Sequence, residues 1–133
     1  MSNDLSSPDK LNILLVENSR TARAVMTALL TKSGYHIIPA STGPEAIEIL
    51  EKEPINLIIM DVFMPLKNGY EVTQEIRSSN KHYAGIPIIA YTGSKNPRDE
   101  QHCREAGMND YLVKTDDNKL LLSWLSEFSS QQP

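Results

Sequence analysis

The chain has 133 residues, enough for one domain of ordinary size and too few for two with separate cores. Hydrophobic residues make up 40% and charged residues 23%, a globular profile, and the net charge of −4 argues against a nucleic-acid-binding surface. A single cysteine, Cys103, excludes an internal disulfide and most thiolate metal sites, and it fits a reducing compartment. No apolar run approaches the roughly 18 residues of a membrane span. The polar start, Met1 to Lys10, lacks the apolar core of a signal peptide. These features predict a small cytoplasmic domain over residues 11–128, with loose polar tails at 1–10 and 129–133.

In chain order, Leu11–Val16 is the first apolar run, nearly continuous and without alternation, as expected of a strand buried on both faces. Ala22, Val25, Met26, Leu29 and Leu30 then follow a helical period that Gly34 is placed to stop. A weaker strand signal spans Tyr35–Pro39. Gly43-Pro44-Glu45 reads as a helix start with proline in its first turn. Ile55–Met60 is a second continuous strand, and Asn68 or Gly69 opens a helix to about Arg77. Ile86–Tyr91 is the next buried run, Asn96-Pro97 caps a fourth helix, and Tyr111–Val113 is a short last strand. Asp116 or Asp117 is expected to cap a fifth helix with Leu120, Leu121, Trp124, Leu125 and Phe128 on its apolar face. The order is β-α five times over. Right-handed crossovers make this an α/β doubly wound, five-stranded parallel sheet with helices on both faces.

In such sheets ligands bind at the carboxyl ends of the strands. The residues delivered there are Glu17 and Asn18 after the first strand, Asp61 after the third, Thr92 after the fourth and Lys114 after the fifth. Oxygen ligands without imidazole or thiolate suit a hard cation such as Mg²⁺. An aspartate among them can attack a phosphoryl group, with the cation, the ammonium and the hydroxyl neutralising the transferred oxygens.

Ile13-Leu14-Leu15-Val16-Glu17, Met60-Asp61-Val62-Phe63-Met64-Pro65 with Asn68-Gly69-Tyr70, Thr92-Gly93, and Ala106-Gly107-Met108-Asn109-Asp110-Tyr111-Leu112-Val113-Lys114 occur in order at these strand ends. Together they resemble the receiver domains of the two-component response-regulator family, over about Leu11 to Phe128. They are most similar to receivers of hybrid sensor histidine kinases or single-domain regulators. The resemblance implies a flavodoxin-like strand order 2-1-3-4-5 and Asp61 as phosphoacceptor. It implies Glu17 and the Phe63 backbone carbonyl as Mg²⁺ ligands, Thr92 as a switch hydroxyl, Lys114 as its cationic partner and Tyr111 as an aromatic rotamer switch. It also implies a sensor histidine kinase or histidine phosphotransfer domain as phosphodonor, with output through an effector protein or a second copy. A receiver catalyses only its own phosphorylation and dephosphorylation.

The chain departs from the family pattern twice. Asn18 stands where a second acid is usual, so its amide could ligate Mg²⁺ but brings no charge. Thr115 replaces the usual proline after Lys114, and a cis bond before a non-proline residue costs about 2.5–4 kcal/mol. These departures keep a pseudo-receiver, a protein-binding domain without phosphorylation, as the alternative. A haloacid-dehalogenase-like phosphatase wants a second aspartate where Phe63 stands, and no glycine-rich phosphate loop supports a flavin or dinucleotide site. His36, His82 and His102 have no ligand spacing. Cys103 reads as a half-buried helix residue, Trp124 and Phe128 as packing, and Lys10, Arg20, Arg23 and Lys32 as too dispersed for a nucleic-acid patch.

Overall fold

A computed structural model describes residues 11–132. Five strands, β1 (Asn12–Val16), β2 (His36–Ala40), β3 (Leu57–Met60), β4 (Ile88–Thr92) and β5 (Asp110–Val113), alternate with five helices. These are α1 (Arg20–Lys32), α2 (Gly43–Lys52), α3 (Gly69–Arg77), α4 (Pro97–Ala106) and α5 (Lys119–Ser130). All neighbouring strands pair in parallel, in the spatial order β2-β1-β3-β4-β5. The chain therefore reverses direction across the sheet between β1 and β3, and their carboxyl ends open a crevice there.

The continuous apolar runs are explained by the two cores they serve. Leu14, Val16, Ile58, Met60, Ile88 and Ala90 point to one face, where Ala46 and Leu50 of α2, Val72 and Ile76 of α3 and Cys103 of α4 cover them. Their neighbours Ile13, Leu15, Leu57, Ile59, Ile89 and Tyr91 point to the other, under Met26 and Leu30 of α1 and Leu121 and Leu125 of α5. Successive side chains of a strand alternate faces, so a sheet covered on both sides needs apolar residues at every position.

Local chemistry sets the helix ends. Ser19 Oγ accepts from the Ala22 N–H at 3.2 Å, and Gly34 leaves α1 at φ 103°. Asn68 and Glu71 form a reciprocal capping box on α3. Asn96 caps α4, which ends at left-handed Gly107. The fifth helix differs from expectation. Its N-cap is Asn118, in a left-handed conformation at φ 57°, while Asp117 Oδ1 accepts from the Lys119 N–H at 3.0 Å. Asn118 is held there because its side-chain oxygen takes the Tyr91 hydroxyl at 2.6 Å. α5 also runs on to Ser130, so 129–130 continue the helix and are not a loose tail. The expected tail at 1–10 lies outside the described residues. Cys103 is fully buried where half-burial was expected, and burial pushes its thiol up to about 11. None of the described helices is long and apolar enough to cross a membrane.

Candidate functional site

Glu17, Asp61, Thr92 and Lys114 meet at the carboxyl ends of β1, β3, β4 and β5. Each arrives by backbone pairing that continues the sheet. The Glu17 N–H donates to the Ala40 carbonyl at 3.0 Å, the Asp61 N–H to Val16 at 2.9 Å and the Lys114 N–H to Thr92 at 2.7 Å. Glu17 is only 3% exposed, and its carboxylate is satisfied on both oxygens. Oε1 takes Lys114 Nζ at 2.8 Å, and Oε2 takes the Ser19 N–H at 2.9 Å. Asp61 is half-buried beside it. Burial and the Glu17 charge push the Asp61 carboxyl up to about 6, against the pull of Lys114 and of the Phe63 N–H.

Gly69 explains how α3 comes so close to the acid. A Cβ there would lie 2.7 Å from the Asp61 carbonyl and 2.9 Å from Val62 Cα, and the Gly69 N–H donates to Val62 at 2.8 Å. Only a residue without a side chain lets the helix start against the strand end.

Asn18 is exposed at the rim, one residue past Glu17. Phe63 follows Asp61 with its side chain 56% exposed. Thr92 is buried, and its Oγ1 accepts from the Ser94 N–H at 3.3 Å. Tyr111 is half-buried against the α2–α3–α4 core, with its hydroxyl donating to the Ser94 carbonyl. Ser94 thus joins the two expected switch residues: its N–H holds Thr92 and its carbonyl holds Tyr111. Sequence reasoning did not single out Ser94, because both contacts use its backbone. It weighed Arg23 only as one of several dispersed basic residues, whereas Arg23 Nη1 donates to the Glu17 carbonyl at 2.9 Å. The only sequence signal for Arg23 was a basic residue one turn into α1 behind an acidic strand end. The Lys114–Thr115 bond is trans, as no cis peptide occurs among the described residues.

The chemistry of this donor set fits a divalent cation. Burial and the adjacent Glu17 carboxylate raise the cost of ionising Asp61, and a hard cation would relieve it. No group of three His, Cys, Asp or Glu side chains gathers among the described residues; the carboxylates brought together at this site are those of Glu17 and Asp61.

The model of the response regulator receiver domain matches residues 13–125. The chain belongs to that family. As a receiver it is 38% identical over 111 residues to the CAI-1 autoinducer sensor kinase/phosphatase CqsS of Vibrio cholerae, covering 84% of this chain and 16% of that protein. The chain spans less than half the length of the leading curated relatives it matches. Among solved receivers, the chemotaxis response regulator CheY4 of Vibrio cholerae superposes with a TM-score of 0.81 at 29% identity, covering 89% of this chain and 98% of that one. The receiver domain of sensor histidine kinase PA1611 from Pseudomonas aeruginosa, solved with a magnesium ion coordinated in its active site cleft, gives 0.80 at 33% identity, covering 92% and 99%. The doubly wound fold and the two-component signalling assignment made from sequence both stand.

Proposed function

We propose that this receiver takes a phosphoryl group from a phosphohistidine, on a sensor histidine kinase or a histidine phosphotransfer domain, onto Asp61. One observation carries the reading: Asp61 is held at the β3 end with its carboxyl near 6, beside a buried Glu17 that is ion-paired to Lys114. At neutral pH the carboxylate is ionised and poorly solvated, which suits a nucleophile. An Asp61 oxygen attacks the phosphorus in line, the phosphorus–nitrogen bond to the donor imidazole breaks, and the electron pair leaves with the ring nitrogen.

The Asp61 and Glu17 carboxylates and the Phe63 carbonyl would hold Mg²⁺, with the Asn18 amide at the rim. Bound there, the cation would neutralise phosphoryl oxygens as negative charge gathers. Lys114 supplies the second positive charge, already close enough to pull on Asp61. Thr92 gives up the Ser94 N–H and donates its hydroxyl to a phosphoryl oxygen. The chain catalyses its own phosphorylation and hydrolysis and acts on no other substrate. The reducing cytoplasm suits its buried, unpaired Cys103.

The donor docks over the rim formed by α1, where Arg20, Ala24 and Val25 are exposed. The phosphorylated state is read on the face of α4, β5 and α5 by an effector or a second copy. Intact-mass measurement after treatment with acetyl phosphate and Mg²⁺ tests the chemistry. One phosphoryl group should appear, none with EDTA and none in Asp61→Asn. No adduct in the wild type would instead favour a pseudo-receiver that binds partners without phosphorylation.

A further inference from the structure

Glu17 presents four polar groups, and each has a partner. Its N–H is taken by Ala40, Oε1 by Lys114 and Oε2 by the Ser19 N–H. The fourth, its carbonyl, lies past the end of β1, where the sheet no longer supplies donors. Arg23 supplies one. Its Nη1 donates to the Glu17 carbonyl at 2.9 Å and also lies 3.4 Å from the Asn18 carbonyl.

Arg23 is half-buried, and among the described residues no carboxylate comes within 4 Å of its guanidinium. Its charge is felt by Glu45 on α2. Ser41 holds the Glu45 carboxyl below the usual range, and the Arg23 charge adds to this. An arginine that bonds backbone carbonyls in place of an acid is spending its fork on geometry.

We infer that Arg23 is a positioning residue for the cation: by gripping the carbonyls of Glu17 and Asn18 it fixes the loop that aims both side chains into the site. The inference rests on the proposed Mg²⁺ site. With Asn18 uncharged, that site has few ligands to spare, so the aim of Glu17 and Asn18 matters more. Loss of the grip frees the loop to turn, as loss of an outer-shell partner does at other metal centres.

Charge and geometry make opposite forecasts, which separates them. Removing a positive charge near the cation should tighten Mg²⁺ binding if Arg23 acts through its field alone. Removing the grip should weaken it. Arg23→Met and Arg23→Lys are therefore compared with wild type by calorimetric Mg²⁺ titration, and by phosphorylation rate from acetyl phosphate across the same Mg²⁺ range. The expected result is a loss of roughly tenfold in Mg²⁺ affinity in both variants, with most of the rate recovered at saturating Mg²⁺. The Ser19 amide, held by Glu17 Oε2, should also shift in the NMR spectra of both variants without metal. Arg23→Lys keeps the charge and the aliphatic stem, so it reports even if Arg23→Met folds poorly. Tighter binding in Met with no change in Lys would overturn the inference, as would unchanged affinity in both. A wild type that binds no Mg²⁺ would overturn the metal site itself, a distinct failure visible before any variant is made.

Discussion

Asp61 shows what placing an acid at a strand end costs. Its folded carboxyl, near 6, lies above the value of about 3.9 expected in the unfolded chain. The folded state therefore binds this proton more tightly than the unfolded state does. That contributes stability below pH 4, which is lost as pH rises through 6. At pH 7.5 without metal the ionised carboxylate is a net cost of about 1–2 kcal/mol, after allowance for its partial exposure to solvent. Asp61→Asn should accordingly melt several degrees higher than wild type at pH 7.5 in EDTA, with the gap shrinking toward pH 4.5. Mg²⁺ should stabilise the wild type and leave Asp61→Asn unmoved. Scanning calorimetry at the two pH values checks this, and a variant less stable than wild type at pH 7.5 would show that the acid pair is not repulsive. The acids, hydroxyl and ammonium of the site were legible as sequence because each directly follows an apolar run. Arg23 and Ser94 were not, since Arg23 bonds to backbone carbonyls and Ser94 acts through its own backbone, neither of which a pattern of side-chain types marks.

Among the helices, where α1 and α5 each bury two larger side chains, α4 buries only the small ones of Cys103 and Ala106. Its two ends are held differently. At the amino end, Ser94 Oγ donates to Asp99, Tyr111 donates to the Ser94 carbonyl, and Tyr70 reaches the Asp99 carbonyl at 3.4 Å. At the carboxyl end, Arg77 of α3 donates to Gly107 at 2.9 Å, to Ala84 at 2.9 Å, to Ile86 at 2.7 Å and to Asn109 Oδ1 at 2.9 Å. Asn109 Oδ1 also takes the Ile88 N–H at 2.8 Å, which ties β4 into the same knot. Arg77→Met leaves several of these acceptors without a donor and should cost about 3 kcal/mol in urea unfolding. A cost under 0.5 kcal/mol would mean that water replaces the guanidinium freely. Helix starts at Asn68 and Asn96 could be read from the chain because capping is local. The α5 start could not, because Asn118 answers to the Tyr91 hydroxyl 27 residues away. The depth of Cys103 was likewise hidden, since it depends on α3 and the sheet packing over it.

Across the whole molecule, the site and the α4–β5 face are joined through Ser94, which holds Thr92 on one side and Tyr111 on the other. Phosphorylation at Asp61, as proposed, would add about −1.5 to −2 charges and three acceptor oxygens there. Drawing Thr92 toward them would release the Ser94 N–H, and the loop and the amino end of α4 would respond together. Amide exchange with and without a beryllofluoride mimic should change at 93–102 and in β5, and little at 104–109, where Arg77 holds the chain. Change confined to the loops around Glu17, Asp61 and Lys114 would describe a passive phosphate relay. All of this depends on where the phosphoryl group sits. The decisive measurement reduces the acetyl-phosphate-treated protein with borohydride, which converts an aspartyl phosphate to homoserine, and maps the peptides by mass. The account predicts homoserine at position 61 alone, in a Mg²⁺-dependent yield; a reduced residue elsewhere, with Asp61 intact, would contradict it.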